Sequence, residues 1–328
     1  MSEDFNISRL RRITNALFVM DSSVNRPGLM SGKIGLACYY FHLSRITGND
    51  LYSHFAEKLI NESTVLLYEG MSLDFEDGLA GIGWAIGYLA GNKFIEADTD
   101  DVLEDFDAAI SEAVAQCSIL PSSTLLGFAF YYYSRIEWRH IKYDSAIIYN
   151  IKRNAGLVIK ELDKRMSINI DLPIEEFDFA WTFPWYLWVK KKLSDKGVLE
   201  ITSSIRARLI DAIKKIMEST LSPANKCFLG LIAETVALYD SSKIDYSPFI
   251  ELRSPILKDG LAGAIVLLKI SRNNGAGIQY VLNALKLRLE GYHDDCVSPA
   301  GYPINTSSEK SPAGLIYGIA GIGMGLII

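Results

Sequence analysis

Cysteine and histidine are scarce in this chain, with four of each in 328 residues. The four cysteines lie far apart, and no two of them form a C-x-x-C pair. Disulfide scaffolds are short and dense in cysteine, and zinc ribbons need paired cysteines, so the sequence indicates neither class.

The chain also lacks an excess of basic charge. It has 33 Lys and Arg against 39 Asp and Glu, for a formal net charge of -6. No basic block is interleaved with aromatic residues, as a surface that neutralises phosphates would require. Nucleic acid is therefore excluded as a partner.

Long apolar segments are missing as well. The most apolar stretch, Gly314–Ile328, has 15 residues, fewer than the roughly 20 needed to cross a bilayer. We expect it to form a buried terminal helix. Residues 1–12 are charged and have no apolar core of signal-peptide length, which favours a cytoplasmic protein without a membrane span.

What the chain does have is a glycine phrase that repeatedly leads into an apolar run. The two cleanest copies are Asp77–Gly83, with the sequence DGLAGIG, and Tyr317–Gly323, with the sequence YGIAGIG. Three further copies and two eroded ones bring the total to seven: Gly28–Gly35, Lys258–Gly263, Leu229–Ala233, Leu126–Phe130 and Trp181–Trp185. Repeated supersecondary units of this kind stack on their neighbours to bury a shared core.

The segments between the phrases predict two kinds of helix. Runs that are apolar on nearly all sides predict buried inner helices, at Ile34–Leu43, Trp84–Leu89 and Ala264–Ile270. Amphipathic segments predict outer helices with one wet face, at Tyr52–Tyr68, Val102–Cys117, Ala146–Arg165, Ile201–Thr220 and Ile278–Glu290. A shortened, irregular outer element is expected at Phe249–Leu257, because the interval between Gly230 and Gly260 is only 30 residues.

This alternation predicts an all-α fold, an α/α toroid of about seven inner and outer helical hairpins that covers residues 1–328 as one domain. Each glycine phrase would begin an inner helix, where glycine permits a sharp turn and close packing. The N-termini of the inner helices would then gather at one mouth. Exposed N–H groups and helix dipoles at that mouth would favour an anionic ligand.

The residues just before the glycines are the candidate ligand-binding residues at the mouth. They combine carboxylates, one lysine and aromatic rings, which suits a peptide or a small polar ligand. The set is Ser31, Glu76, Asp77, Trp181, Lys258, Asp259 and Tyr317. An alternative interpretation is that Asp77 and Asp259 simply cap their helices, since aspartate is a favoured N-cap.

In its seven glycine phrases and inner helices, spread along nearly the whole chain, this sequence resembles the lanthionine synthetase C family. The resemblance implies an α/α toroid with a site at one mouth. It also implies a zinc ion that activates a peptide cysteine thiolate for addition to a dehydrated serine or threonine.

The chain departs from the family at the zinc ligands. The family's fifth phrase usually reads W-C-x-G and its sixth C-H-G, whereas here the sixth reads Lys258-Asp259-Gly260 and Phe228 stands at the ligand position of the fifth. Cys227 lies one residue too far upstream, and Trp181 replaces the family's usual histidine. We therefore predict no metal and no cofactor, with metal binding by Cys227 or Cys296 left open.

Two functions are compatible with this pattern. The first is a zinc-free, non-cyclising relative of the cyclases that binds a peptide, or acts as a scaffold, in a modified-peptide pathway. The second is a carbohydrate-active enzyme with a carboxylate pair drawn from Asp74, Glu76, Asp77 and Asp259 and with sugar-stacking aromatic residues at Trp84, Trp181, Trp185 and Tyr317. For the peptide-binding function, the sequence offers no candidate catalytic residue. Neither function specifies the oligomeric state.

Overall fold

The computed structural model describes residues 3–138, 145–169, 182–238, 245–252 and 280–285. These ranges are predominantly helical and contain no strand, which confirms the all-α prediction. The α-helices are α1 Glu3–Met20, α2 Lys33–Thr47, α3 Asp50–Val65, α4 Leu79–Gly91, α5 Thr99–Val102, α6 Glu104–Val114, α7 Ser122–Glu137, α8 Ser145–Asn169, α9 Thr182–Asp195, α10 Ser203–Glu218 and α11 Pro223–Thr235. Within the described ranges, no helix combines the length and the apolar character that a bilayer crossing needs.

The chain divides into two compact units. Unit 1 comprises the residues up to Met71 together with those from Asp245 onwards, and unit 2 runs from Ser72 to Ile244. The closed ring of hairpins and the single-domain organisation stay predictions.

Unit 1 contains one helix of each predicted kind. Eleven of the fifteen residues of α2 are buried, including Lys33 at its first position. α3 packs against α2 and buries only Ala56, Leu59 and Ser63, which lie three or four residues apart as on one helical face. The predicted burial patterns of these two helices, one buried on nearly all sides and one on a single face, are confirmed.

Unit 2 is built around a row of four largely buried helices, which we call the inner row. α4 packs on α7, α7 on α9, and α9 on α11. The outer helices lie behind this row: α6 contacts α4, α8 contacts α7, and α10 contacts α11. α6 shows the outer pattern clearly, because its buried residues Phe106, Ile110 and Val114 recur every four positions.

A buried polar network recurs in two successive hairpins of unit 2. The hydroxyl of Tyr131 donates to Asp107 at 2.6 Å, and the fully buried guanidinium of Arg135 donates to the same carboxylate at 2.7 Å. One hairpin later the same arrangement is made by Tyr186, Lys190 and Asp163. Since Tyr131 and Tyr186 each lie four residues after Gly127 and Thr182, the network supports the alignment of these two eroded glycine phrases.

Some boundaries differ from those predicted. α1 was not predicted, since residues 1–12 were interpreted only as a charged start. The predicted helix Val102–Cys117 is interrupted at Leu103, whose fully buried side chain marks the change from α5 to α6. The irregular element predicted at Phe249–Leu257 is described only as far as Leu252, and there the chain forms a 3-10 helix, Ser247–Glu251. The predicted helices Ala264–Ile270 and Gly314–Ile328 lie outside the described residues.

Candidate functional site

Two of the seven glycine phrases form the same loop in the structure. In one, the N–H of Leu79 donates to the carbonyl of Ser72 at 2.9 Å; in the other, the N–H of Lys33 donates to the carbonyl of Arg26 at 2.9 Å. Both bonds span seven residues, and both close a loop immediately before the first residue of an inner helix. At these two copies, the repeat in the sequence is therefore a repeat in backbone structure.

Glycine is needed at the last loop position because the loop backbone folds over it. Gly32 and Gly78 are the N-cap residues of α2 and α4. A Cβ atom at either position would lie 2.3 Å from a backbone atom of its own loop, well inside van der Waals contact. The residues just before them, Ser31 and Asp77, consequently occupy equivalent positions, the first buried and the second half-buried.

Asp74 holds the second of these loops together. One oxygen of its carboxylate accepts the N–H groups of Asp77 at 2.8 Å and Gly78 at 3.2 Å, and the other accepts the hydroxyl of Ser72. The N-cap residue of α4 is Gly78, not Asp77 as the alternative interpretation expected, and the N-cap position contributes no side-chain cap. Asp74 therefore serves the loop, while Glu76 is exposed at its surface.

The expectation of an anion-binding mouth is wrong at α2. The N–H groups of its first three residues, Lys33, Ile34 and Gly35, already donate to loop carbonyls at 2.9, 3.2 and 3.4 Å. The ammonium of Lys33 is also taken, since it binds Glu62 at 2.7 Å and Asp21 at 3.1 Å. Burial opposes this charge, but the hydrogen bonds from Lys33 to the two carboxylates raise its pKa. These N–H groups and the ammonium of Lys33 are therefore already bound within the protein and do not form a site for an anionic ligand.

A continuous set of aromatic rings, which we call the aromatic surface, lies along the inner row of unit 2. All of its members are half-buried. Neighbouring ring centroids are 5.3 to 6.2 Å apart, within the range of favourable aromatic pairing. The members are Phe75, Trp84, Tyr88, Phe130, Trp138, Trp185 and Trp188.

Phe75 connects the aromatic surface to the loop that carries Glu76 and Asp77. Its ring centroid lies 5.8 Å from that of Trp84 on α4 and 5.5 Å from that of Phe130 on α7. Gly127 makes room for it, because a Cβ atom there would come within 2.7 Å of the Cβ of Phe75. The two predicted acidic residues therefore adjoin a half-buried aromatic face.

Two of the later glycine phrases, those around Gly127 and Gly230, do not begin helices. α7 begins at Ser122 and α11 at Pro223, so that Gly127 and Gly230 lie inside them. α11 has a stronger start signal upstream, where Ser222 accepts the N–H of Asn225 and Pro223 occupies the first turn. The prediction that each glycine phrase begins an inner helix was wrong at these two copies.

The cysteines of the described residues are not arranged for metal binding. Cys227 is buried inside α11, and the neighbouring ring of Phe228 packs 5.8 Å from that of Trp185. Burial raises the pKa of Cys38, in α2, to about 12. Across the part of the chain that the structure describes, no group of three His, Cys, Asp or Glu residues could hold a metal ion.

Sequence reasoning found part of this site. Trp181, Lys258, Asp259, Tyr317 and Cys296 lie outside the described residues. Trp84 and Trp185, suggested as stacking residues, are linked in the structure through the rings of Phe75 and Phe130. Tyr88, Trp138 and Trp188 were missed, although Trp84 with Tyr88 and Trp185 with Trp188 have helical spacing that places each pair on one face.

A scan against models of known protein families and a search of curated proteins both found no match for this chain.

Proposed function

We propose that this protein is a zinc-free, non-cyclising, lanthionine synthetase C-like protein that binds a peptide in a modified-peptide pathway. The observation that carries the proposal is the position of Phe75. It places the acidic residues Glu76 and Asp77 directly beside the aromatic surface.

The chemistry of this region favours a particular kind of peptide. Half-buried rings offer apolar area to aliphatic or aromatic side chains. The exposed carboxylate of Glu76 attracts a Lys or Arg side chain, whereas the N–H of Leu79 in the same loop already donates to the carbonyl of Ser72 and offers nothing to an acidic one. The ligand is therefore a segment in which an apolar residue lies next to a basic one.

We propose a protein without zinc because of the residues at the positions where the resembled family has its zinc ligands. Phe228 stands where the resembled family has a ligand, and Cys227 is buried in a helix among apolar side chains. Metal analysis of protein purified without chelators should give less than stoichiometric zinc. One zinc per chain that is lost in Cys227→Ala would contradict this part of the proposal.

Fluorescence anisotropy with labelled peptides tests the binding. We expect a peptide with adjacent Leu and Lys residues to bind, and the same peptide with Lys replaced by Glu to bind about tenfold more weakly because a carboxylate then meets Glu76. Glu76→Lys should reverse this preference. Trp185→Ala should weaken both peptides, since it removes apolar contact area.

Two matched variants control for general effects. Glu57→Lys makes the same charge change on the exposed face of α3, and Tyr68→Ala removes an exposed ring elsewhere; neither should alter binding. Tighter binding of oligosaccharides than of any peptide would favour the carbohydrate-active alternative. Peptide binding that is insensitive to both Glu76→Lys and Trp185→Ala would place the ligand elsewhere.

A further inference from the structure

A cavity of about 220 Å³ lies in unit 2 between α9, the first half of α10 and the end of α11. It shares no residue with the aromatic surface. Its floor is apolar and buried, and consists of Leu187, Leu209, Val236 and Leu238. Since an apolar cavity of about 150 Å³ can hold benzene, this one has room for a chain of about six to eight carbon atoms.

The mouth of the cavity is polar and positively charged. Lys191 and Ser194 follow Leu187 at spacings of four and three residues, so all three lie on one face of α9. Arg206 lies three residues before Leu209 in α10 and is exposed to solvent. The described residues that line the cavity thus include two cations and a hydroxyl group, and no carboxylate.

Arg206 is held at the mouth by the end of α11. One of its terminal nitrogens, Nη2, donates to the carbonyl of Ala237 at 2.6 Å. Ala237 lies between the floor residues Val236 and Leu238, and its φ of 56° ends the helix. A guanidinium has five N–H donors, and within the described ranges Arg206 makes no other hydrogen bond. The remaining donors are therefore available to a ligand.

Lys191 adds a second positive charge to the mouth. Its ammonium binds the carboxylate of Asp195, which lies one turn further along α9 and is half exposed. Exposed pairs of this kind contribute little to stability, and an ammonium has three N–H donors. Lys191 can therefore bind a ligand carboxylate while Asp195 stays nearby, and Arg206 leaves the mouth with a net positive charge.

We propose that this cavity binds a small amphiphilic carboxylate. The aliphatic chain of the ligand lies on the apolar floor, where it is removed from water. Its carboxylate lies at the mouth, where Arg206 and Lys191 supply charge-assisted hydrogen bonds. A neutral ligand of the same length would lack these bonds, and an amine would be repelled. The site is separate from the proposed peptide site and does not depend on it.

Isothermal titration calorimetry of the full chain with octanoate, octanol and octylamine tests the proposal, because the three ligands differ only in their polar group. We expect octanoate to bind at least about tenfold more tightly than the other two. Arg206→Gln should weaken octanoate at least about fivefold and change octanol less than about twofold. Lys191→Gln, which leaves the end of α11 untouched, should act in the same direction.

A variant that fills the cavity tests the position of the chain. Ile201 lines the cavity from the connection before α10 and is half-buried, so the larger ring of Ile201→Trp should abolish binding of both octanoate and octanol. Arg153→Gln is the matched control, because it makes the same charge change as Arg206→Gln at an exposed position of α8; octanoate should bind it normally. Circular dichroism establishes that each variant keeps its helices.

Three results would overturn the proposal. The first is no heat of binding with octanoate up to about 10 mM. The second is octanol or octylamine binding as tightly as octanoate, which would show that the charges at the mouth do not select the ligand. The third is octanoate binding that persists in Arg206→Gln, Lys191→Gln and Ile201→Trp, which would place the ligand elsewhere. Peptide binding at the aromatic surface should be the same in all of these variants, so the two proposals fail separately.

Discussion

Gly78 shows at the scale of one residue why the glycine phrase exists. A methyl group there would lie 2.3 Å from the carbonyl oxygen of Ser72, and the loop can relieve this only by breaking its own hydrogen bonds. We expect Gly78→Ala to lower the free energy of unfolding by at least about 2 kcal/mol, measured in urea.

Gly156→Ala is the control for that substitution. Gly156 lies inside α8, and a Cβ atom there would meet nothing within 4 Å. Alanine should therefore raise stability by about 0.5 to 1 kcal/mol, because it lowers the entropy of the unfolded chain. Equal effects at the two positions would show that the loop closure is not what requires glycine.

His42 should make stability depend on pH. Its position in α2 is half-buried, and burial together with the nearby Arg45 lowers its pKa to about 4, against about 6.5 in an unfolded chain. As pH falls, the unfolded state takes up the proton first. The contribution of His42 is thus complete above about pH 6.5 and is lost between about pH 6.5 and 4.

Urea unfolding at pH 7 and pH 5 measures this effect. The slope due to His42 is at most about 1.4 kcal/mol per pH unit. His42→Gln should remove it, whereas His54→Gln, at an exposed position of α3, should not. A pH dependence that is identical in all three proteins would contradict the assignment.

At the scale of the helices, the network between α6 and α7 should be sensitive to the loss of one partner. Asp107→Asn leaves the fully buried guanidinium of Arg135 without its main counter-charge. We expect a loss of about 3 kcal/mol in the free energy of unfolding. Replacing both residues, with Asp107→Leu and Arg135→Met together, should recover part of it, because the buried guanidinium is removed although Asp100 loses its ion pair with Arg135.

A control at the surface separates this effect from a general loss of charge. Asp211 pairs with Lys215 on the exposed face of α10, and Asp211→Asn should cost less than about 0.5 kcal/mol. If the double replacement were no more stable than Asp107→Asn, the cost would come from packing rather than from an unpaired charge.

Helix periodicity could be predicted from the sequence because burial imposes it. α3, α6 and α10 were found from amphipathic spacing, and α2 and α4 from runs that are apolar all round. Helix starts were harder to predict, since several signals compete. Gly32 and Gly78 do begin helices, but at α11 the signal of Ser222 and Pro223 prevails over that of Gly230.

The candidate site could be predicted only in part, because some of its features follow from residue type and others from backbone geometry or contacts between distant residues. Residue type and position identified Glu76, Asp77, Trp84 and Trp185. The role of Asp74 depends on backbone geometry within the loop, which no residue pattern specifies. The position of Phe75 depends on a contact with Gly127, about fifty residues away in the chain.

At the scale of the whole molecule, the predicted ring has a consequence for cooperativity. Within unit 2, α4 and α11 are the two ends of the inner row, and each packs on one inner neighbour, α7 and α9 respectively. The single-domain organisation predicted from the sequence requires both ends of this row to be covered, as capping repeats cover the ends of a helical array. The full chain should then unfold in one calorimetric transition.

An isolated fragment of residues 72–244 provides the comparison. It contains the complete row from α4 to α11 and the networks around Arg135 and Lys190, so we expect it to keep its helical circular dichroism. Its end helices would lack their covering repeats, and it should melt at a lower temperature than the full chain. Two separate transitions in the full chain, one of them coinciding with that of the fragment, would instead indicate two independent domains and no closed ring.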